Sequence, residues 1–379
     1  MYHLHFQVLV FLVKIVMIFF ASSVSFVFAN ISSSSMEWIM LSSNKKTFIM
    51  YPSGKRFIPL GFNYDHDERG RLLEDYWITE WNKVVEDFRE MKKLGANVVR
   101  IHLQFGKFME SPTKFRVDSI NQLKRLINLA EELNLYIYLT GLGCYKKEDI
   151  PSWYNNLNEK ERWDAQAKFW EIIASICAKS PAIFCYDLMN EPVVPGAPQT
   201  DWLATPFGDR YFVQFITLDA GDRPRPLVAK KWIDHLTCAI RKYDRRHLIT
   251  IGLTSWSLDR PGITSGFVPE YIVDYIDFLS VHIYPETSKA ENYNEIIKGF
   301  CIGKPLVVAE IFPIYCTIPE LEHFILNNKE RVEGWLSFYW GKEMYISEEG
   351  EARQKNMSTY IAQKWLESFR KIIKILKTN

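Results

Sequence analysis

Two glutamates stand where apolar runs of the sequence end, a position from which a carboxyl group can reach a pocket. Glu191 follows the run 183–190, between Asn190 and Pro192, and Glu310 closes the run 306–309. Cleavage of a glycosidic bond needs such a pair: an acid that protonates the leaving oxygen, and a carboxylate that attacks the anomeric carbon or activates water. Either glutamate alone could equally cap a helix or pair with an arginine at the surface.

The elements that would position this pair alternate regularly along the chain. Short apolar runs, typical of buried parallel strands, are separated by longer amphipathic runs, typical of helices. The predicted strands are Phe57–Asn63, Asn97–Gln104, Tyr136–Leu142, Ile183–Asn190, Leu248–Thr254, Phe278–Tyr284, Leu306–Ile311 and Trp335–Trp340. The predicted helices are Thr79–Leu94, Ser119–Leu133, Arg162–Lys179, Leu227–Tyr243, Pro319–Lys329 and Thr359–Leu376.

Repeated βα units without a linker predict one α/β domain, a single (β/α)8 TIM barrel. An open dinucleotide-binding sheet is disfavoured, because no glycine-rich phosphate loop follows the first predicted strand. Glu191 then follows the fourth strand and Glu310 lies on the seventh, so both can face the mouth of the barrel. The longest irregular stretch, Val193–Pro226, follows the fourth strand, and a loop of that length is usually functional.

With these residues in place, the chain resembles glycoside hydrolase family 5 and its clan A of retaining barrel enzymes, over roughly residues 50–345. The resemblance implies that Glu191, preceded by Asn190, is the acid/base and that Glu310 is the nucleophile. It implies a retaining β-glycoside hydrolase that needs no cofactor or metal and binds a carbohydrate substrate. β-Mannan, β-glucan and other glycans stay open as substrates, as do endo or exo action and transglycosylation.

Further residues fit the same resemblance. Arg100, on the second strand, would stand beside the nucleophile, and His282 and Tyr284, on one face of the sixth, would contact the sugar and orient the nucleophile. Trp340, at the end of the eighth strand, would be the aromatic platform under the sugar. His102 faces the same way as Arg100 and is either a substrate contact or a hydrogen-bonded structural histidine.

The third strand departs from the family pattern. Many members carry a histidine after it, but the run 136–144 has none. The missing histidine leaves the subfamily, and therefore the sugar, open.

Two alternatives come from other functional classes. A carbohydrate-binding barrel could keep the aromatic cleft without catalysis, although a pure binder needs no acid/base pair such as Glu191 and Glu310. A membrane-anchored adhesion protein is compatible with the apolar N-terminus.

Composition and the N-terminal segment limit where the chain acts. Residues 1–29 have the apolar run of an export signal, with Ala29 at the expected cleavage point, and residues 30–379 would form the catalytic domain. We therefore expect a secreted or extracytoplasmic protein, held at a membrane only if the segment stays uncleaved. The balance of 46 basic and 45 acidic residues argues against nucleic acid as a partner, and the six cysteines form no C-x-x-C zinc motif.

Overall fold

A closed barrel of eight parallel strands forms the centre of the protein. The computed structural model describes residues 36–204, 206–258, 264–338, 340 and 357–378. In chain order the barrel strands are Leu60–Tyr64, Val98–Gln104, Tyr136–Gly143, Ile183–Asn190, Leu248–Thr254, Leu279–His282, Leu306–Ile311 and Gly334–Ser337. The eighth strand pairs with the first, which closes the sheet. The predicted (β/α)8 barrel is confirmed.

Helices follow the barrel strands and pack around them. They span Leu73–Tyr76, Trp81–Lys93, Phe105–Phe108, Val117–Leu133, Ser152–Asn155, Glu159–Cys177, Arg225–Arg241, Pro269–Ile272, Ala290–Phe300, Ile318–Asn328 and Met357–Lys377, with short 3₁₀ turns at Lys147–Asp149 and Val273–Tyr275. Asn158 and Thr317 cap two of them, each with a glutamate three residues on that completes a capping box. Buried Trp170 faces the sheet, where it contacts Tyr186 and the carbonyl of Leu188, and buried Trp232 packs against Phe267 and donates to Gln166 of the neighbouring helix.

A small antiparallel sheet was not predicted from the sequence. Its strands, Trp38–Leu41, Phe48–Tyr51 and Arg56–Phe57, lie before the barrel in the chain. Phe48 packs edge-on against Phe184 and Phe278, which stand at the start of the fourth strand and just before the sixth. The sheet therefore covers the N-terminal end of the barrel and leaves the other end for the site.

The remaining differences concern element boundaries and helices that were not predicted. The first barrel strand begins at Leu60, because Pro59 interrupts the predicted run, and the helix Ala290–Phe300 was not predicted. The predicted export segment, residues 1–29, lies outside the described residues. Within the described part of the chain, no helix is both long enough and apolar enough to span a membrane.

Candidate active site

The two glutamates predicted from the sequence face one another at the mouth of the barrel. Glu191 directly follows the fourth strand and Glu310 lies in the seventh, and one carboxylate oxygen of each is within 4.8 Å of the other. They share a cavity of about 230 Å³, lined by Glu191, Phe207, Phe212, Val213, Tyr284, Glu310, Ile314, Tyr315 and Phe338. The sequence order of the strands has thus brought together residues 119 positions apart.

The backbone at Glu191 takes an uncommon conformation. Its φ is 46°, in the left-handed region, which costs a residue with a β-carbon about 1–3 kcal/mol when the surroundings impose it. The amide of Glu191 donates to the carbonyl of Gly252 over 2.9 Å, and Pro192–Val193 pairs with Gln214–Phe215. These bonds hold the sharp turn by which the carboxyl group leaves the strand and enters the cavity.

Both oxygens of Glu310 accept strong hydrogen bonds. Arg100 Nη1 lies 2.6 Å from Oε1, and the hydroxyl of Tyr284 lies 2.7 Å from Oε2. A guanidinium and a phenolic donor both favour the ionised carboxylate. Glu310 is therefore the carboxyl group of the pair that is equipped to remain charged.

A buried network fixes the guanidinium of Arg100. Nη2 donates to Asp187 Oδ2 over 2.8 Å and to Asn190 Oδ1 over 2.9 Å, while Nη1 also donates to Asn63 Oδ1 over 2.8 Å. Burial alone would lower the pKa of Arg100, but the charges of Asp187 and Glu310 raise it above its ordinary value. Arg100 is thus a permanent cation in a fixed orientation.

Asp187 is itself fully satisfied. Its Oδ2 accepts from Thr140 over 2.7 Å and its Oδ1 from the amide of Gly252 over 2.7 Å. Sequence reasoning did not assign it, although a charged residue inside a buried apolar strand requires a partner and could have indicated one. Asn63, near the end of the first strand, was not assigned either.

His282 lies between the two glutamates. Its Nδ1 is 2.8 Å from Glu191 Oε1 and 3.5 Å from Glu310 Oε1. Burial, together with the charge of Arg100 and against the charge of Glu310, lowers the pKa of His282 to about 4. The imidazole is neutral at neutral pH, and it can bridge the two carboxyl groups by a hydrogen bond without adding charge.

The two glutamates differ in how closely a cation approaches them: Arg100 is hydrogen-bonded to Glu310 but not to Glu191. Burial raises the pKa of Glu191 to about 7, and Arg100 opposes this rise only from a distance, without a hydrogen bond. Burial also raises the pKa of Glu310, but the charge of Arg100 and the Tyr284 hydrogen bond act to lower it. Glu191 is accordingly suited to carry a proton near neutral pH, and Glu310 to lose one first.

Two other predicted residues, Asn190 and His102, do not line the cavity. Asn190 holds Arg100 through its oxygen and donates from Nδ2 to the carbonyl of Phe212 over 3.1 Å. His102 is 1% exposed, bonds Tyr145 and Asn63, and does not line the cavity. Of the two readings for His102, the geometry matches the structural one.

The prediction for Trp340 is corrected. Its ring is 2% exposed, packs edge-on against Phe62, and donates from Nε1 to Asp87 Oδ1 over 3.1 Å. Phe338 lines the cavity instead, with its ring 6.1 Å from that of Tyr284. The eighth strand ends at Ser337, so strand alternation no longer determines where later side chains point.

The cluster does not favour a metal ion. Ligand atoms of Glu191, His282 and Glu310 lie within 4.8 Å of one another, which is a spacing that a cation could bridge. The guanidinium of Arg100 already lies 2.6 Å from Glu310, however, and a second cation there would be repelled. The donor set is better suited to proton transfer and nucleophilic attack.

A barrel with facing glutamates after its fourth strand and in its seventh is the architecture of the barrel glycoside hydrolases. Residues 60–378 match the cellulase family, glycosyl hydrolase family 5. The chain belongs to this family, as the motifs predicted.

Individual relatives are distant. Mannan endo-1,4-β-mannosidase A of Podospora anserina is 26% identical over 157 residues, which are 39% of this chain and 32% of that protein. The chain therefore spans about a third of that curated relative. Among solved structures, an exo-β-1,4-mannosidase from Opitutaceae bacterium strain TAV5 superposes with a TM-score of 0.67 at 18% identity, covering 89% of this chain and 62% of that one. An endo-1,4-β-mannanase from Rhizomucor miehei gives 0.61 at 17% identity, covering 88% and 99%.

Proposed function

We propose that this chain hydrolyses β-glycosidic bonds with retention of anomeric configuration. One observation carries the proposal: the facing oxygens of Glu191 and Glu310 lie within 4.8 Å. Retaining enzymes hold their carboxyl groups about 5–5.5 Å apart, whereas inverting enzymes need roughly 6.5–9.5 Å to admit a water molecule. The donors on Glu310 and the raised pKa of Glu191 support Glu310 as the nucleophile and Glu191 as the acid/base.

In the first step, a carboxylate oxygen of Glu310 attacks the anomeric carbon while Glu191 gives its proton to the glycosidic oxygen. The bond from the anomeric carbon to that oxygen breaks, the aglycone leaves as an alcohol, and the sugar stays esterified to Glu310. In the second step, Glu191 takes a proton from water, whose oxygen attacks the anomeric carbon and releases Glu310. Arg100 and Tyr284 stabilise the carboxylate that is used and regenerated.

The substrate we propose is a β-mannoside. The names of the Podospora, Opitutaceae and Rhizomucor proteins support this choice, because all three act on β-1,4-linked mannose units. The aromatic ring of Phe338, which lines the cavity, supplies an apolar surface on which a pyranose can pack.

The test is proton NMR of the purified protein acting on aryl β-mannosides, with aryl β-glucosides and β-galactosides as comparisons. We expect the β-mannoside to be cleaved fastest and the first product to be the β-anomer, before mutarotation. Release of the α-anomer would contradict retention. Binding of these glycosides without turnover by any of them would favour the non-catalytic barrel instead.

A further inference from the structure

The long loop after the fourth barrel strand crosses the mouth of the barrel. Its residues 206–214, here called the capping segment, contribute Phe207, Phe212 and Val213 to the wall of the catalytic cavity. The segment ends where Gln214–Phe215 pairs with Pro192–Val193, directly beside Glu191. The C-terminal end of the capping segment therefore lies beside Glu191.

The far side of the capping segment is anchored to loops after other strands. The guanidinium of Arg210 donates to the carbonyl of Gly70, after the first strand. The amide of Tyr211 donates to the carbonyl of Tyr145 over 3.0 Å, just after the third strand. Gln214 Nε2 donates to the carbonyl of Leu142 over 3.0 Å, within that strand. These bonds fix the segment to the loop after the first strand and to the end of the third strand.

Phe212 occupies the middle of this crossing. Its ring lies 5.0 Å from that of Tyr145, after the third strand, and 6.3 Å from that of Phe338, after the eighth. Phe212 thus spans the mouth from the third strand to the eighth, and its neighbour Arg210 contacts Gly70, after the first strand. Asn190 holds the carbonyl of Phe212 in place over 3.1 Å. The aromatic row forms a wall from one side of the mouth to the other.

Polar side chains beneath this wall are shut off from solvent. Asn63 is 0% exposed and His102 is 1% exposed, although both lie near the C-terminal ends of their strands. The cavity that remains is about 230 Å³, below the roughly 300–1,000 Å³ of pockets that hold drug-sized ligands. At the rim of the cavity, the side chains of Phe207 and Tyr315 are 65% and 56% exposed to solvent.

We propose that the capping segment makes this an exo-acting glycosidase, which removes one sugar at a time from the non-reducing end. The proposal rests on the proposed function. Where Phe212 and Phe338 wall the cavity, a sugar chain can extend only toward the exposed residues Phe207 and Tyr315. The unit that reaches Glu310 is then the terminal one, and the rest of the substrate is the leaving group, which extends past Glu191 to the rim. An internal bond could be cleaved only if further units lay where Phe212 stands.

The test uses β-1,4-mannohexaose and cellohexaose, each with a fluorescent label at the reducing end, and analyses the products at early conversion. For the wild-type protein we expect free monosaccharide and labelled pentasaccharide. Phe212→Ala should raise the proportion of di- and trisaccharides among the first products about tenfold, the change that about 1.4 kcal/mol of added binding would give. Arg210→Ala, which loosens the anchor on Gly70 without lining the cavity, should act in the same direction and less strongly.

Tyr243→Ala is the matched control, because Tyr243 is 51% exposed and follows the helix Arg225–Arg241, at the opposite end of the barrel. Its product pattern should equal that of the wild type. Di- and trisaccharides among the first wild-type products, or labelled monosaccharide from the reducing end, would overturn exo action while leaving the glycosidase proposal intact. No cleavage of either hexasaccharide or of any aryl glycoside would overturn both.

Discussion

The hydroxyl of Tyr284 lies 2.7 Å from Oε2 of Glu310, on the oxygen that Arg100 does not contact. This relationship divides the stabilisation of the carboxylate between a neutral donor and a cation. Removing the hydroxyl of Tyr284 should therefore weaken the stabilisation of the Glu310 carboxylate and leave the positive charge of Arg100 in place.

Tyr284→Phe should reduce kcat/KM roughly 10- to 100-fold, since a hydrogen bond to a charged group contributes about 1.5–3 kcal/mol. Loss of a donor to the ionised form raises the pKa of Glu310, so activity should be lost at a higher pH as the solution is acidified. The measurement is the acid limb of the kcat/KM profile, with Tyr271→Phe, at an exposed position, as control. A rise in KM with unchanged kcat and an unmoved acid limb would contradict the assignment.

Glu191 should determine the alkaline limb. Its pKa is raised to about 7, and only the protonated form can donate to the leaving oxygen, so activity should fall as pH rises through about 7. Glu191→Ala should slow substrates with poor leaving groups far more than 2,4-dinitrophenyl glycosides, whose departure needs no proton. Equal losses on both substrates, or an alkaline limb that persists in the variant, would argue against this role.

The parts of the fold that sequence predicted well are those decided by local composition. Ile183–Asn190, Leu248–Thr254 and Leu306–Ile311 have the predicted bounds, because each is a mostly apolar run in which every residue is buried. A polar residue that follows such a run lies at the end of the barrel where active sites are found. Glu191 was therefore identifiable without coordinates.

The parts that sequence could not predict depend on contacts between distant segments. Phe212 lies in a loop with no periodicity, and its place between Tyr145 and Phe338 follows from anchors such as Arg210 to Gly70. Nothing local to the loop specifies those anchors. The sequence indicated that a loop of this length has a function, but not which side of the mouth it closes.

Trp340 and Phe338 allow the corrected platform to be tested. Trp340→Phe removes the hydrogen bond to Asp87, which should cost about 1–3 kcal/mol of unfolding free energy and leave KM unchanged. Phe338→Ala should raise KM, because the ring lines the cavity. Denaturant titration and steady-state kinetics of both variants measure the two effects. A raised KM for Trp340→Phe with wild-type stability would restore the original prediction.

Glu74 should make stability depend on pH. It lines a larger cavity of about 720 Å³, and it is 8% exposed with Oε1 accepting from the amide of Gln104. Among the described residues its Oε2 has no hydrogen-bond partner. Burial raises the pKa of Glu74 to about 7 from 4.5, so the folded state holds a proton between these values that the unfolded state has lost. Stability should fall as pH rises through this window.

Glu74→Gln keeps an acceptor for Gln104 and cannot ionise. At pH 8 it should be more stable than the wild type by up to about 3 kcal/mol, and at pH 4 the two should be equal within about 0.5 kcal/mol. Denaturant midpoints at both pH values provide the measurement. Glu132→Gln, at an exposed position on Val117–Leu133, should show no such pH-dependent gain. An equal gain at both pH values would mean that ionisation of Glu74 is not its cause.

Glu310 should become covalently glycosylated during turnover. The Arg100 and Tyr284 bonds to its two oxygens favour the ionised form that attacks, whereas the raised pKa of Glu191 favours a proton donor. A 2-deoxy-2-fluoro β-mannoside with a good leaving group slows both steps by destabilising the oxocarbenium-like transition state. The leaving group offsets this in the first step only, so the intermediate should accumulate. Peptide mapping should then find the sugar on the fragment that contains Glu310, and Glu310→Gln should take up none. A label on Glu191 instead would show that the two carboxyl groups exchange the roles given to them here.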